Sequence, residues 1–393
     1  MVNAEPATTL DGMVALEHDG GGKATRLALY RDGVELSRTW IVPYTLRIGR
    51  ATVRMDGIGG VATPEEHRNQ GYSRQVLSAA VERMKAGDAH LTALYGIPDY
   101  YPRWGYATAA HEGGIRITRL DRDAALPEGM AFRRATAADI PAIRAIYARE
   151  TRDIVGSAVR PDDDTVWQEL ATSIAGEEDE CRVIVDETGA VQAYAWMAAF
   201  IWWIQNMRRD HPDGLHIGEA FALTPRSADG LLAGVRQWAV EAGKAHVDLH
   251  QPASGALGMA ARLQDTAMLA ITFRDAQFMA RSTGTRALVK ALEPELRARW
   301  LGARAGWQGP LQLVADGEAV SLRLTNDALD VAENAPGDAV SVELSPGDLA
   351  RLALGSFPPR DLLERIGIEG EIVDVLSVLF PERGPYIYPA DRF

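Results

Sequence analysis

The segment from Gly60 to Ser73 has the residue types of a loop that binds an anion. A predicted strand ends before it, and a helix is predicted to begin at Gly71 or Tyr72. Gly71 permits a tight turn and a close backbone approach, while the free N–H groups of the first helical turn and the helix dipole favour a pyrophosphate. The patterns GxxxxGK[ST] and GxGxxG are absent, which argues against an NTPase or a dinucleotide oxidoreductase. An ordinary strand-to-helix connection remains the alternative.

About thirty residues later the chain reads Tyr100-Tyr101-Pro102-Arg103-Trp104-Gly105-Tyr106. A phenol close to a leaving group can donate the proton that the group needs, and this segment contains such phenols. The alternative for Tyr101 or Tyr106 is core packing with one satisfied hydroxyl group.

Other residues with reactive side chains give weaker signals. His246, Asp248 and His250 fall on one face of a predicted strand, but the two histidines would lie about 13 Å apart at the strand rise, so no metal site is predicted. Cys181 is interpreted as a core residue. Trp202 and Trp203 would either line an acceptor pocket or pack in a core or interface.

The elements around these residues follow a repeated order of strands, helix and strand, which predicts an α/β fold. In the first part of the chain the predicted elements are strands at Val14–Leu16, Ala24–Tyr30, Glu35–Tyr44, Arg47–Gly60 and Leu91–Tyr95, and a helix at Tyr72–Met84. The second part repeats the order with strands at Phe132–Ala135, Cys181–Val185, Val191–Met197, His216–Leu223 and His246–Leu249, and a helix at Gly230–Ala242. A third part has helices at Ala287–Ala303 and Ser345–Leu354 around four strands.

Composition and charge limit the class of protein. The 393 residues are too many for one hydrophobic core, and the composition of 47% hydrophobic and 24% charged residues is that of a globular protein. A net charge of −13 disfavours nucleic acid as a partner and is compatible with cationic small molecules, although solubility alone also explains it. The sequence predicts no membrane span, no secretory signal at Met1–Asp11 and, with one cysteine, no internal disulfide, so a cytoplasmic location is expected.

The loop resembles the acetyl-CoA signature of GNAT acetyltransferases, Gln/Arg-x-x-Gly-x-Gly/Ala, through Arg68, Gly71 and Ser73. The segment from Tyr100 to Tyr106 is similar to a second motif of that family. The resemblance implies acetyl-CoA as co-substrate and no metal, with the strand before the loop pairing with the pantetheine arm. The cofactor-binding residues that it implies are Val61, Ala62, Thr63, Arg68, Asn69, Gln70, Gly71, Tyr72, Ser73, Tyr101 and Pro102.

Over nearly its full length the chain resembles the Eis family, in which two GNAT units precede a sterol-carrier-like domain. This resemblance implies GNAT-like domains at 1–128 and 129–283 and a sterol-carrier-like domain at 284–393. It also implies transfer to a primary amine, with Tyr106 as acid, the α-carboxylate of Phe393 as base and Tyr101 as alternate acid and cofactor contact. A homo-oligomer, hexameric in the family, is expected.

Two departures from the family pattern leave alternatives open. The first unit reaches its strands about fifteen residues from Met1, whereas the family places pocket-forming helices there. The second unit's loop, Thr224–Leu232, lacks the leading Arg or Gln and carries Asp229, which would repel phosphate, so this unit is interpreted as inactive. The shortened first unit leaves open a non-catalytic protein that binds CoA or an apolar ligand. A longer acyl donor, which would need a wider slot beside Val61 to Thr63, is a further alternative to acetyl transfer.

Overall fold

The computed structural model of the chain describes residues 24–110, 112–122, 124–176, 178, 180–270, 276–304, 306–332, 336, 337 and 339–393, and the backbone of 14–18 and 271. Residues 1–11, on which the prediction of no secretory signal rests, lie outside this part. The chain divides into two compact units: Met1–Ala110 with Phe273–Pro385 and Phe393, and His111–Thr272 with Tyr386–Arg392.

The described residues form nineteen strands. In chain order they are β1 Val14–His18, β2 Thr25–Arg31, β3 Val34–Ile48, β4 Ala51–Ala62, β5 Leu91–Gly96, β6 Ala107–Thr108, β7 Glu112–Ile117, β8 Ala131–Arg134, β9 Cys181–Val185, β10 Val191–Trp196, β11 Gly214–Ile217, β12 Glu219–Ala222, β13 His246–Leu249, β14 Ala267–Ile271, β15 Gln277–Ser282, β16 Gly309–Ala315, β17 Glu318–Leu324, β18 Leu329–Ala332 and β19 Val340–Leu344.

The same residues form ten α-helices. They are α1 Tyr72–Ala86, α2 Ile140–Glu150, α3 Thr165–Ala175, α4 Trp202–Asp210, α5 Pro225–Glu241, α6 Gly255–Arg262, α7 Thr285–Ala303, α8 Pro346–Leu354, α9 Pro359–Arg365 and α10 Glu371–Leu379. None of the helices in the described part of the chain combines the length and the apolar composition that a bilayer span needs.

The first unit contains a sheet of order β1-β2-β3-β4-β5-β15-β6. Strands β1 to β4 are antiparallel, and β4 pairs with β5 in parallel because α1 forms the crossover between them. The predicted apolar stripe of α1 is confirmed, since Val76, Leu77, Ala80, Val81 and Met84 are buried in the core of this unit.

A second sheet of the first unit has the order β18-β17-β16-β19 and lies with α7 to α10. The predicted helix start at Ser345 is confirmed: the Ser345 side chain accepts a hydrogen bond from the Asp348 amide, which satisfies a free N–H group. Gly355 ends this helix with φ 66°, as the sequence predicts.

The second unit contains the four-stranded sheets β12-β10-β9-β8 and β11-β13-β7-β14. The prediction of one strand at His216–Leu223 is wrong, because Gly218 separates β11 from β12 and these strands belong to different sheets. The predicted loop at Thr224–Leu232 is also wrong in part, because helix α5 already begins at Pro225. Thr224 and Ser227 form a capping box at its start. Cys181 is buried, as predicted.

The compact units and the predicted domains group the chain differently. Glu112–Ile117, within predicted domain 1–128, is a strand of the second unit, whereas Gln277–Ser282, within predicted domain 129–283, pairs with β5 in the first unit. Compactness groups segments by contacts in space and the prediction groups them along the chain. The division at 128 and 283 therefore stays a prediction.

Candidate active site

A gap opens between the two central parallel strands of the first unit. Strand β4 pairs with β5 from Met55 to Ile58, where the pairing between them ends. Beyond this point β4 continues to Ala62 along β3, while β5 continues to Gly96 along β15. A register shift against β3 and a φ of 58° at Gly60 mark a β-bulge in this part of β4. Backbone groups of β4 and β5 therefore face a space that an extended ligand could enter.

Helix α1 presents its N-terminus beside this gap. Gly71, immediately before the helix, has φ 82°, a left-handed conformation that favours glycine. The first turn, which the structure describes in full, has neither an acidic residue nor a side-chain cap. Arg68, Gly71 and Arg74 are exposed. The amide groups and the positive end of the helix dipole are consequently available to an anion such as a pyrophosphate.

Side chains beside α1 add a cation that the sequence analysis missed. Arg31, at the end of β2, donates from Nη1 to the Tyr72 hydroxyl at 3.1 Å, and that hydroxyl donates to Gln70 Oε1 at 3.1 Å. The Ser73 hydroxyl lies 3.0 Å from the Tyr100 hydroxyl. Arg31 directly follows a predicted strand, so only the placement of that strand beside α1 could have identified it.

The residues predicted to bind the cofactor are brought together around the gap. Val61, Ala62 and Thr63 are half-buried on its β4 side. The Thr63 hydroxyl lies 3.0 Å from that of Ser37, and the Thr63 carbonyl accepts from Arg68 Nε at 3.3 Å. Asn69, with φ 62°, completes the turn that leads to the helix.

Tyr101 lies against the end of β5. A Cβ atom added to Gly96 would collide with the Tyr101 ring, so this ring occupies the space beside Gly96. The Tyr101 side chain is half-buried, and burial raises the pKa of its phenol, with a smaller contribution from Tyr100. The phenol therefore keeps its proton at neutral pH and can act as a donor.

Tyr106 is more deeply enclosed. Its ring centroid is 6.4 Å from that of Tyr101, and its hydroxyl forms a hydrogen bond with the Thr92 hydroxyl on β5. Burial raises the pKa of Tyr106 well above its ordinary value, against a lowering by the Thr92 hydrogen bond and by Arg281. Tyr106 and Pro102 also line a cavity of about 320 Å³ in the first unit.

Phe393 lies on β4 at the start of the gap. A Cβ atom on Gly57 would be 2.6 Å from the Phe393 ring, and one on Gly59 would be 3.3 Å from the Phe393 carbonyl carbon. A Cβ atom on Gly57 would collide with the Phe393 ring, and one on Gly59 would make a tight contact with the terminal residue, so the two glycines leave room for the end of the chain. The terminal carboxylate thus lies beside the last residues that join β4 to β5.

Aromatic side chains surround Phe393. The ring centroids of Tyr44 and Tyr95 lie 5.2 Å and 5.7 Å from that of Phe393, and Phe278 packs on Tyr95 at 5.5 Å. Trp40, opposite Gly59, is half-buried on the same face of the sheet. The sequence analysis missed this aromatic wall, because its members come from β3, β5, β15 and the last residue.

Tyr106 and Phe393 lie on opposite faces of the sheet. Gly57, which contacts Phe393, is in register with Ala93 of β5. Thr92, which forms a hydrogen bond with Tyr106, is the residue before Ala93 on the same strand. Successive side chains of a strand point to opposite faces. A group that occupied the gap would therefore have a phenol on one side and a carboxylate on the other.

The histidines of the second unit form a buried network. His216 Nδ1 lies 3.1 Å from His250 Nε2 and 3.7 Å from Asp248 Oδ2, while Arg116 donates twice to Asp248 at 2.7 Å. Burial lowers the pKa of His250 to about 3. Among the described residues no group of His, Cys, Asp or Glu side chains could hold a metal ion.

Residues 12–109 match the family model of the acetyltransferase (GNAT) domain. A comparison with curated proteins finds no significant match. The chain is similar to the crystal structure of a GCN5-related N-acetyltransferase from Kribbella flavida, with a TM-score of 0.67, 18% identity, and 94% of this chain and 88% of that chain covered.

Two further solved structures have the same fold. One is a GCN5-related N-acetyltransferase from Anabaena variabilis, with a TM-score of 0.69, 16% identity and coverage of 94% of this chain and 89% of that chain. The other is Eis1 from Mycobacterium abscessus, with a TM-score of 0.60, 16% identity and coverage of 94% and 90%. Residues 12–109 therefore contain a GNAT acetyltransferase domain, and the chain has the α/β fold of GNAT acyl-CoA N-acyltransferases.

Proposed function

We propose that the chain transfers an acetyl group directly from acetyl-CoA to a primary amine. The observation that carries this proposal is the coincidence of three features in one unit: an open helix N-terminus at Gly71, a gap between β4 and β5, and a terminal carboxylate beside Gly59. The first feature suits the pyrophosphate of CoA, the second its pantetheine arm and the third a base.

The base in this proposal is the α-carboxylate of Phe393. An amine must lose a proton before its nitrogen can attack, and a carboxylate at the edge of the gap can accept that proton. The Phe393 ring, packed between Tyr44 and Tyr95, holds the carboxylate in place. Attack of the nitrogen on the thioester carbon then forms the amide bond and breaks the carbon–sulfur bond.

The acid is Tyr106, with Tyr101 as the alternative. The departing thiolate needs a proton, and a phenol supplies it from the face of the sheet opposite the carboxylate. Thr92 orients the Tyr106 hydroxyl. Tyr101 has the advantage of greater exposure and of a position at Gly96, beside the open end of the gap.

The acceptor is a cationic amine of the aminoglycoside, lysine or polyamine class. The half-buried rings of Trp40, Tyr44 and Tyr95 beside a carboxylate suit an ammonium group, which is attracted by aromatic faces and by negative charge. A net charge of −13 favours the approach of such an acceptor.

The second unit is inactive in this proposal, because a capping box at Thr224 satisfies the helix start that would otherwise receive a phosphate. Further parts of the proposal rest on the family resemblance. Residues 284–393 act as a sterol-carrier-like domain, the protein is cytoplasmic, and it assembles as a homo-oligomer. Light scattering of the purified protein tests the hexamer.

A thiol-release assay with acetyl-CoA and a panel of amines tests the transferase activity. We expect amine-dependent release that falls at least about a hundredfold when Phe393 is deleted, because the carboxylate is displaced by one residue. Phe393→Ala is the matched variant, since it keeps a terminal carboxylate and removes the ring. Binding of CoA without release for any amine would instead support a non-catalytic binding protein.

The same assay distinguishes the two tyrosines. If Tyr106 is the acid, Tyr106→Phe lowers kcat about 10²- to 10⁴-fold and Thr92→Val lowers it less, while Tyr101→Phe acts mainly on KM for acetyl-CoA. The reverse ranking would assign the acid to Tyr101.

A further inference from the structure

The second unit holds the residues immediately before Phe393 by a buried ion-pair cluster. Arg160 donates from Nε to Asp391 Oδ1 at 2.7 Å and from Nη2 to Asp391 Oδ2 at 2.9 Å. The same guanidinium donates to Glu219 Oε2 at 2.5 Å. The side chains of all three residues are at most 2% exposed.

Aromatic residues enclose this cluster. The Arg160 guanidinium carbon lies 3.8 Å from the Tyr147 ring centroid, and the Tyr147 hydroxyl lies 3.2 Å from Asp391 Oδ2. Tyr194 donates to Glu219 at 2.6 Å. Burial raises the pKa of Asp391, whereas Arg160 lowers it.

Other contacts in the second unit fix the neighbouring tail residues. The Tyr386 amide donates to the Val155 carbonyl at 2.9 Å. Arg392 pairs with Glu112, and its guanidinium carbon lies 4.1 Å from the Trp203 ring centroid. Every residue from Tyr386 to Arg392 is buried.

A buried ion-pair cluster adds little net stability, because the desolvation penalty offsets the attraction between the charges. Taking two carboxylates and a guanidinium out of water carries a desolvation penalty for each ion, and apolar side chains of similar volume are often as stable in that place. What the ion pairs provide beyond stability is a defined position for Asp391, since bidentate contacts fix geometry.

The position of Asp391 limits where the end of the chain can lie. Asp391 precedes Phe393 by two residues, and two residues span at most about 7 Å. We infer that Arg160, which is also paired with Glu219, is a positioning residue for the terminal carboxylate and acts through Asp391. This inference rests on the proposed function of the Phe393 carboxylate as base.

Kinetics of Asp391→Asn and Arg160→Lys test the inference. We expect kcat to fall about ten- to a hundredfold with little change in KM for acetyl-CoA, because the base is misplaced while the cofactor site is intact. In a chain that lacks Phe393 the same substitutions should change kcat less than about twofold, since their target is gone. An equal effect in both backgrounds would overturn the inference and indicate a role in stability alone.

Arg116→Met is the matched control. It removes the guanidinium from another buried carboxylate of the second unit, Asp248, without touching the tail. If it lowers kcat as much as Asp391→Asn, general destabilisation explains both effects. If Asp391→Asn proves unstable, Tyr147→Phe is the milder variant to measure, because it keeps the Arg160 ion pairs. We expect it to lower kcat by an intermediate amount.

A readout that needs no acceptor separates this inference from the proposed function. Carbonyl-¹³C phenylalanine labels the eight phenylalanines, and the signal lost on deletion of Phe393 identifies the terminal carboxylate. Asp391→Asn should move this signal to the shift of a free chain end, and Arg116→Met should not. A signal that stays in place in Asp391→Asn would refute the positioning role. A signal that moves while deletion of Phe393 leaves turnover intact would retain the positioning role and refute the base.

Discussion

Gly57 shows how a single missing side chain can define a site. A Cβ atom there would lie 2.6 Å from the Phe393 ring, although Gly57 itself has no left-handed backbone that would require glycine. The reason for glycine at this position is therefore space, and the occupant of that space is the last residue of the chain. A Cβ atom on Gly59 would lie 3.3 Å from the Phe393 carbonyl carbon, a tight contact that a small shift of the chain end would relieve.

We therefore predict that Gly57→Ala disables catalysis and spares cofactor binding. The added methyl group displaces Phe393, and a shift of about 1 Å in a catalytic group can cost about a hundredfold in rate. Turnover and calorimetric binding of CoA measure the two effects separately. Gly302→Ala is the control, because a Cβ atom there meets no described atom within 4 Å and alanine favours the helix. Turnover within twofold of the wild type in Gly57→Ala would contradict the placement of Phe393.

At the scale of elements, the pairing of β11, β13 and β7 buries a histidine that cannot easily gain a proton. His250 stacks on His216 with ring centroids 5.3 Å apart, and the Trp203 ring contacts it edge-on at 4.6 Å. Burial is the largest cause of its lowered pKa, His216 and Arg392 add to the lowering, and Asp248 opposes it. The neutral form is thus the form that the fold accepts.

This burial predicts a loss of stability in mild acid. The unfolded chain binds a proton at His250 below about pH 6.5, whereas the folded chain does so only near pH 3, so the free energy of unfolding falls as pH decreases through this window. For one such group the free energy of unfolding changes by at most about 1.4 kcal/mol for each pH unit. Denaturant titrations at several values between pH 7 and pH 4.5 should show a shallower slope for His250→Gln than for the wild type. Burial also lowers the pKa of His216, which contributes with the same sign. Identical slopes for the two proteins would show that His250 does not titrate as inferred.

At the scale of the whole molecule, the net charge of −13 acts on any charged acceptor before contact. Attraction between a polyamine and an acidic protein weakens as salt shortens the screening length from about 30 Å at 0.01 M to about 8 Å at 0.15 M. We predict that KM for a multiply charged amine rises about two- to tenfold over this range of salt, while KM for a singly charged amine changes less. Steady-state kinetics at the two ionic strengths measure both values. Equal salt effects on the two acceptors would indicate that charge has no part in acceptor selection.

The sequence by itself determined the features that depend on near neighbours in the chain. The buried stripe of α1, the cap at Ser345 and the left-handed Gly71 each follow from helical spacing or from the backbone preferences of one residue. The loop from Gly60 to Ser73 and the tyrosine segment were recognisable for the same reason, because each motif is continuous. The candidate cofactor site is built largely from such local signals.

Only the tertiary structure decided where distant segments meet. Pairing of β15 with β5, the contact of Phe393 with Gly57 and the cluster of Arg160, Glu219 and Asp391 join residues that lie tens to hundreds of positions apart. No periodicity encodes such contacts, because they depend on which surfaces of the folded chain are complementary in shape and charge. The aromatic wall around Phe393 and the position of the tail are consequently properties of the fold, whereas the turn at Gly71 before α1 is a property of the sequence.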